Sequence, residues 1–437
     1  MASMRALKLG LSTVLCMTAI ACGGGGGGAS AGGSSSGGTG SSSGGTGSSS
    51  GGTGSSSGGT GSSGGGATGN VATVIVDQGP SNNSVNTLFT SVTVCAPGST
   101  TNCQTIDHIQ VDTGSYGFRV LAPVLTTAMI AALPVETLTN GKTVAECTQF
   151  VDGFAWGPIV TADIQIAGET AKSVPVQSIG DSRYSVVPAN CSSGGGTPEQ
   201  TVMAFGANGI LGVGPFEFDQ PGCATAAIAA CYYACATATS CSSSAVPTAM
   251  QAVNPVTLFA VDNNGIIIEL PSAPSPALTV TGSLIFGIDT QTNNVSGTQT
   301  VLTVDDQNEL AMTYNGQTLA NSFIDSGSNG IYFNDTAIVK CTATGLTDFY
   351  CPANTLSLGL SMQGMNGTMA NNLIFDVGNA QTMLNANPTF NVFPQLAGSN
   401  PNQGSFDYGL AFFYGKRVAV AVEDKITTVG TGPYIAF

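Results

Sequence analysis

The sequence predicts an all-β domain of two similar lobes behind a disordered Gly/Ser tether. Three observations carry that expectation. The stretch VDTGSYGFRV, Val111 to Val120, returns as IDSGSNGIYF, Ile324 to Phe333, with Asp112 matching Asp325, Thr113 matching Ser326, Gly114 matching Gly327 and Ser115 matching Ser328. Strand-like apolar runs flank both copies, so each is a strand, a tight Asp-Thr/Ser-Gly turn and a second strand. Between Gly23 and about Asn70 the chain is almost entirely Gly, Ser and Thr in SSSGGTG repeats, which have no apolar surface to bury.

In chain order, Arg5 and Lys8 precede the apolar stretch LGLSTVLCMTAIA, and residues 1–21 read as a secretion signal. Its end, Ala19-Ile20-Ala21-Cys22, resembles a bacterial lipobox that makes Cys22 the lipidated first residue, with Ala19 in place of the usual leucine. Ordinary cleavage after Ala21 is the competing reading. The cysteine directly after the cut and the long tether favour the lipoprotein. Residues 22–70 form the tether, with a typical span of roughly 35–40 Å. Gly23 stands where an aspartate would retain the lipoprotein inside, so the expected address is the outer membrane of a bacterial envelope, facing the periplasm or the outside.

The folded part is expected as a first lobe, 71–272, carrying Asp112, and a second lobe, 273–437, carrying Asp325. VATVIV opens it at Val71. SVTVCAPGSTTNCQTIDHIQV reads strand, cysteine-closed loop, strand, and ends at Asp112. LAMTYNGQTLANSFI reads strand, Asn315-Gly316 hairpin, strand, and ends at Asp325.

Of the twelve cysteines, Cys16 and Cys22 fall in the signal region, and the even remainder of an exported chain reads as disulfides. Cys95 and Cys103 bracket one loop, and Cys341 and Cys351 another. Cys223, Cys231, Cys235 and Cys241 crowd an insertion, Pro221 to Pro247, with Cys147 and Cys191 left as a plausible pair. The partners of these last six stay open. CYYAC in the insertion reads as a helical turn, and the insertion as a disulfide-stiffened surface decoration or a loop that shapes a binding site. A zinc site is disfavoured, because His108 is the only histidine and the cysteine spacings fit no finger.

The duplicated aspartates suggest a chemistry. Two carboxylates held close together cannot both ionise, so they share a proton; one activates water while the other hydrogen-bonds the attacked carbonyl. Gly114 and Gly327 let backbone amides approach the carboxylates. The hydroxyls of Thr113, Ser115, Ser326 and Ser328 are placed to orient them. No metal or cofactor is needed. One copy alone would be an ordinary turn; two copies with matching flanks favour the functional reading.

The same phrases resemble the pepsin-like aspartic peptidases. A hairpin strand leads to DTGS, a second hairpin follows in TQFVDGFAWGPIVTADIQIAG, and NGILGVG, Asn208 to Gly214, looks like the segment that passes beneath the first catalytic loop. GSLIFGIDTQ looks like the start of the second lobe, and FDYGLAFFYGKRVAVAVED like the final strands and helix. The chain is also similar to a set of bacterial lipoproteins without an assigned function. The resemblance implies a two-lobed pepsin-like fold, Asp112 and Asp325 as the catalytic pair, and Thr113 and Ser326 as braces. It further implies a flap hairpin over the cleft, placed at Phe150 to Ile159 with Asp152-Gly153 at its turn. Two positions depart from the pattern. Phe150 stands where a flap tyrosine is expected, with Trp156 as either a substitute donor or a core aromatic. Asp407-Tyr408-Gly409 stands where two apolar residues precede the glycine.

A net charge of −15 argues against nucleic acid as a partner. A lone histidine disfavours Ser-His-Asp and Cys-His chemistry, and His108 reads as structural. The expected function is an exported, lipid-anchored, monomeric aspartic endopeptidase acting on peptide or protein. The alternative is an inactive pepsin-like surface lipoprotein that binds a protein or glycan.

Overall fold

The computed structural model describes residues 69–194 and 196–437. The expected signal, Cys16, Cys22 and the tether up to residue 68 lie outside the described residues. Strands dominate, as the alternating Val/Ile/Thr runs require. The first lobe is built from β1 (Val71–Val76), β2 (Leu88–Cys95), β3 (Cys103–Asp112), β4 (Tyr116–Leu121), β5 (Thr143–Gln149), β6 (Gly153–Ile166), β7 (Glu169–Ile179), β8 (Thr197–Pro198) and β9 (Gly209–Val213). Their order in the sheet runs β5-β6-β7-β4-β9-β3-β2-β1, with β8 beside β6. The second lobe is a seven-stranded sheet that includes Leu310–Tyr314, Gln317–Ile324, Ile331–Tyr332 and Asp407–Tyr408.

Both lobes repeat one topology around their Asp turns. In the first, β9 lies between β3 and β4, parallel to β3 and antiparallel to β4, with Gln110 opposite Ile210 and Arg119 opposite Ile210 from the other side. In the second, Asp407–Tyr408 lies between Gln317–Ile324 and Ile331–Tyr332, with Phe323 opposite Asp407 and Tyr332 opposite Asp407. Thus NGILG runs beneath the first Asp turn as expected, and FDYG takes the same place beneath the second.

The lobes share strands. β1 pairs with Val280–Phe286, which pairs with Gly265–Glu269, which in turn pairs with Arg417–Ala421. The division expected at 272/273 therefore falls between two antiparallel neighbours, and one sheet joins the halves. Burial of Val, Ile and Phe along it supplies the hydrophobic drive, at about 1.5–3 kcal/mol per fully buried large side chain. In the second lobe Phe333 stacks on Phe406 at 5.1 Å, with Phe375 edge-on to both.

All ten cysteines in the described residues are paired: Cys95–Cys103, Cys147–Cys191, Cys223–Cys231, Cys235–Cys241 and Cys341–Cys351. The Asn315-Gly316 turn also forms, between the paired residues Tyr314 and Gln317, with both turn residues at positive φ. The insertion differs from expectation. CYYAC is not a helical turn but part of a strand, Tyr232–Thr237, paired with β5 on one side and Ser240–Ser243 on the other. Tyr232 and Tyr233 are fully buried, so this segment extends the sheet and is not a surface decoration. The two aromatic side chains have high strand propensity, and β5 offers them an otherwise open edge.

Candidate active site

The two Asp turns meet at the interface of the lobes. Asp112 ends β3 and Asp325 follows the strand Gln317–Ile324, so each carboxyl leaves a strand whose backbone is fixed by neighbours on both sides. The Gly114 N–H lies 2.8 Å from Asp112 Oδ1 and 3.1 Å from Asp325 Oδ1, shared between the carboxyls. A Cβ on Gly114 would come within 2.7 Å of the Asp325 carboxyl carbon, so no other residue permits this approach. Gly327 N–H donates to Asp325 Oδ1 at 2.7 Å. Ser115 donates to Asp112 Oδ2, and Ser328 to Asp325 Oδ2 at 2.9 Å.

Thr113 and Ser326 brace the turns reciprocally across the interface. Thr113 N–H donates to Ser326 Oγ (3.1 Å) and Ser326 N–H to Thr113 Oγ1 (3.0 Å). Ser326 Oγ donates to the Val111 carbonyl (2.9 Å), and Thr113 Oγ1 reaches the Ile324 carbonyl (3.4 Å). Two further ties cross the interface: Gln110 to the Gly327 carbonyl (3.0 Å) and Asn308 to the Thr113 carbonyl (3.1 Å). These hold the two carboxyls in one geometry.

Asp112 and Asp325 are completely buried, and their carboxyls hydrogen-bond each other. Burial pushes Asp112 well above the usual carboxylate range, and the Asp325 charge and hydrogen bond push it further. Asp325 is also raised, chiefly by burial, but less so. The hydrogen bond from Asp112, then those from Gly327, Ser328 and Gly114, support its charge. Both carboxyls are thus pushed upward, chiefly by burial, and one proton is held by the pair together.

The hairpin of β5 and β6 is the expected flap, but its parts are arranged differently. Its turn is centred on Val151 and Asp152, closed by a Phe150 N–H to Gly153 carbonyl bond of 2.8 Å. Gly153 opens β6 instead of forming the turn. It is a glycine because β8 passes so close that a Cβ would sit 2.3 Å from the Thr197 carbonyl. Phe150 turns back into the first lobe against Phe205, among Leu121, Ile179 and Ile210. Trp156 is a core aromatic: it is fully buried, edge-on to Tyr233, with its indole N–H donating to the Tyr184 carbonyl at 2.8 Å. Val151, at the turn, packs against an apolar cluster built mainly from second-lobe residues, Tyr332, Phe393 and Leu396 among them, so the hairpin reaches across to the second lobe. His108 lies apart from the pair, beside Asp77 at 3.3 Å and edge-on to Phe89.

Sequence reasoning missed a buried ionic cluster that ties this hairpin to the first Asp turn. Arg119 is fully buried and donates to the Tyr116 carbonyl (2.7 Å) within the turn, to Glu146 Oε1 on β5 (2.6 Å) and to Thr148 (3.1 Å). Asp219 Oδ1 lies 2.9 Å from the same guanidinium, and Tyr232 from the insertion donates to Asp219 at 3.1 Å. Burial raises Glu146 to about 7, opposed by Arg119 and reinforced by Asp219. The available signal was a single charge inside each of two apolar strands, in GFRVL and TVAEC. Asp407, noted only as a departure from pattern, is fully buried one strand away from Asp325.

The arrangement combines duplicated Asp turns, a strand threaded beneath each and one backbone N–H shared between the two carboxyls. It is the two-lobed, pepsin-like architecture expected from the sequence. Among solved structures the chain is similar to an aspartic proteinase from Irpex lacteus, at 15% identity and a TM-score of 0.47, over 84% of this chain and 96% of that one. No curated protein matches the chain. Residues 66–437 match the family model described as "Protein of unknown function (DUF3443)", and the chain belongs to that family.

Proposed function

We propose that the protein is an aspartic endopeptidase of the bacterial cell envelope, acting as a monomer on peptide or protein. The observation that carries this reading is the pair itself: two fully buried carboxyls whose Oδ1 atoms both accept from one backbone N–H. In this reading Asp325 is the base that takes a proton from water as it attacks the scissile carbonyl. Asp112 donates its proton to the carbonyl oxygen as the tetrahedral intermediate forms; on collapse Asp325 passes its proton to the leaving amine nitrogen, Asp112 takes one back from a hydroxyl of the intermediate, and the C–N bond breaks. The pair is fully buried, so the Val151–Asp152 turn must lift from the second lobe before a polypeptide enters.

Hydrolysis of an unfolded protein substrate across pH tests the reading. The expected rate is highest in acid and falls as pH rises through the upper macroscopic pKa of the pair, which burial places above the ordinary carboxylate value. A rate that rises from acid to neutral pH would contradict a proton-sharing pair.

Burial of the pair also favours a second reading, in which the chain binds a protein or glycan and cleaves nothing. Permanently closed contacts of Val151 would then be the resting state of a binding surface, and no substrate would be cut at any pH.

Anchoring through Cys22 belongs to the same proposal, supported by the signal-like segment and the tether behind it. Cys22→Ser should leave the protein unprocessed or release it from the membrane fraction. Absence of labelled fatty acid from the wild-type chain would end the lipoprotein reading.

A further inference from the structure

Strands β1 and β2 are antiparallel and pair right up to Val76 and Leu88, ends that a short turn could join. Hairpin loops typically take about two to five residues. The chain instead runs through residues 77–87, DQGPSNNSVNT, a strap that leaves the first lobe. Its one large apolar side chain, Val85, is buried in a cluster whose other fully buried members all come from the second lobe, Tyr332, Phe349, Phe393 and Leu396 among them.

Asn86 fixes the strap in that position. It is completely buried, and every polar position of its amide is used. Nδ2 donates to the Asn329 carbonyl at 2.9 Å and to the Phe393 carbonyl at 2.8 Å. Oδ1 accepts from the Phe393 N–H at 2.7 Å and from the Tyr414 hydroxyl at 3.1 Å. The Asn86 backbone N–H adds a bond to the Asn391 carbonyl at 2.7 Å. Its φ of 49° lies in the left-handed region, which asparagine tolerates better than most residues. Asn329 directly follows Ser328, whose hydroxyl donates to Asp325. One first-lobe side chain is thus bonded to the backbone that continues from the second Asp turn.

The strap also touches the β5–β6 hairpin system in two places. Ser81 and Ser84 donate to the Val202 and Gly206 carbonyls at 3.2 Å each, on either side of Phe205, against which Phe150 packs edge-on. Val151, at the hairpin turn, packs on the same cluster that takes Val85. Two first-lobe segments therefore share one apolar seat on the second lobe, and the carboxyl pair next to them is completely buried.

We propose that residues 77–87 are a latch: Asn86 holds the strap and the Val151 turn closed together on the second lobe, and the pair is reached only after Asn86 leaves Asn329 and Phe393. The grip is of a kind that can release. It consists of one amide side chain, one backbone bond and one valine, and the strap contains no cysteine. The lasting joint between the lobes lies elsewhere, in the pairing of β1 with Val280–Phe286 and in the Thr113–Ser326 brace. Withdrawal of Val85 removes part of the seat on which Val151 rests, so the two segments open as one unit. The consequence for cleavage rests on the peptidase reading above; the linked opening does not.

Amide hydrogen exchange of the full-length chain, read by mass spectrometry, tests the latch without requiring turnover. Asn86→Gly removes the amide and accommodates the positive φ. It should speed exchange of the Phe150 N–H, which bonds the Gly153 carbonyl and not Asn86, by about tenfold or more, while β3 and Gly265–Glu269 keep wild-type rates. Unchanged exchange over residues 149–153, or equal acceleration in every segment, would overturn the proposal. If Asn86→Gly does not fold, Val151→Ser replaces it. Exchange of the Asn86 N–H should then rise by a similar factor, and an unmoved Asn86 amide would overturn the linked opening. On a peptide that the wild type cleaves, Asn86→Gly should raise kcat/KM by about tenfold, because a larger fraction of molecules is open to substrate. A fall in kcat/KM would overturn the latch. A wild type that cleaves no peptide would count against the peptidase reading and leave the exchange rates to decide the latch.

Discussion

Asp112→Asn and Asp325→Asn should each abolish the proposed peptide hydrolysis, a loss on the order of 10⁴-fold or more, and the double variant should be no worse than either single one. Each aspartate works only through the other. Burial disfavours charge on both carboxyls, so the proton that one holds is what lets the other ionise. Replacing either with an amide leaves no shared proton, so neither water activation nor protonation of the carbonyl survives. The fold should persist, because Asn is nearly isosteric and the brace between Thr113 and Ser326 runs through backbone and hydroxyl groups. Thermal unfolding of the two variants, measured beside their rates, separates loss of chemistry from loss of structure. A peptide carrying a hydroxyl in place of the scissile carbonyl should bind the wild type and neither variant, since it mimics the tetrahedral intermediate. Retention of hydrolysis by either Asn variant would remove the pair from the mechanism.

Arg119→Met has the largest expected effect on stability, about 3–5 kcal/mol, because it leaves Glu146 and Asp219 buried without a cation. The cluster also lends the fold a pH dependence. Glu146 has an ordinary value of 4.5 and is raised to about 7 when folded, so folding takes up a proton between those values. That contribution is complete below about 4.5 and is lost as pH rises to about 7. Glu146→Gln should flatten the slope in this window, as read from denaturant midpoints at a series of pH values. A slope of the opposite sign in the wild type would contradict the assignment. Because Arg119 also holds the Tyr116 carbonyl, Arg119→Met should loosen the first Asp turn and lower hydrolysis beyond the change in folded fraction.

The features legible in the sequence were those written in local patterns. The repeated Asp turns and the Asn315-Gly316 hairpin follow from contiguous residues whose backbone demands are specific, while the place of the NGILG segment came from the resemblance to pepsin-like peptidases. Cys95–Cys103 and Cys341–Cys351 close short loops and were legible for the same reason. The rest depended on partners far apart in the chain. Arg119 meets Glu146 and Asp219 only after three strands and an insertion have packed. Tyr232 and Tyr233 read as a helical turn because the edge of β5 that pairs with them lies some 90 positions earlier. Gly153 was placed at a hairpin turn on its dipeptide, whereas the close passage of β8 explains it. Asp407 was visible as a departure from an apolar pattern, but its place one strand from Asp325 needed the sheet register.

The central claim is that Asp112 and Asp325 together hydrolyse peptide bonds. Its most direct test is incubation of wild type and Asp325→Asn, side by side, with a diverse peptide library from acid to neutral pH, reading new termini by mass spectrometry. The account predicts internal cleavages in the wild-type sample alone, most abundant in acid and fading as pH rises. No cleavage by the wild type at any pH, or the same cleavages from both proteins, would contradict it.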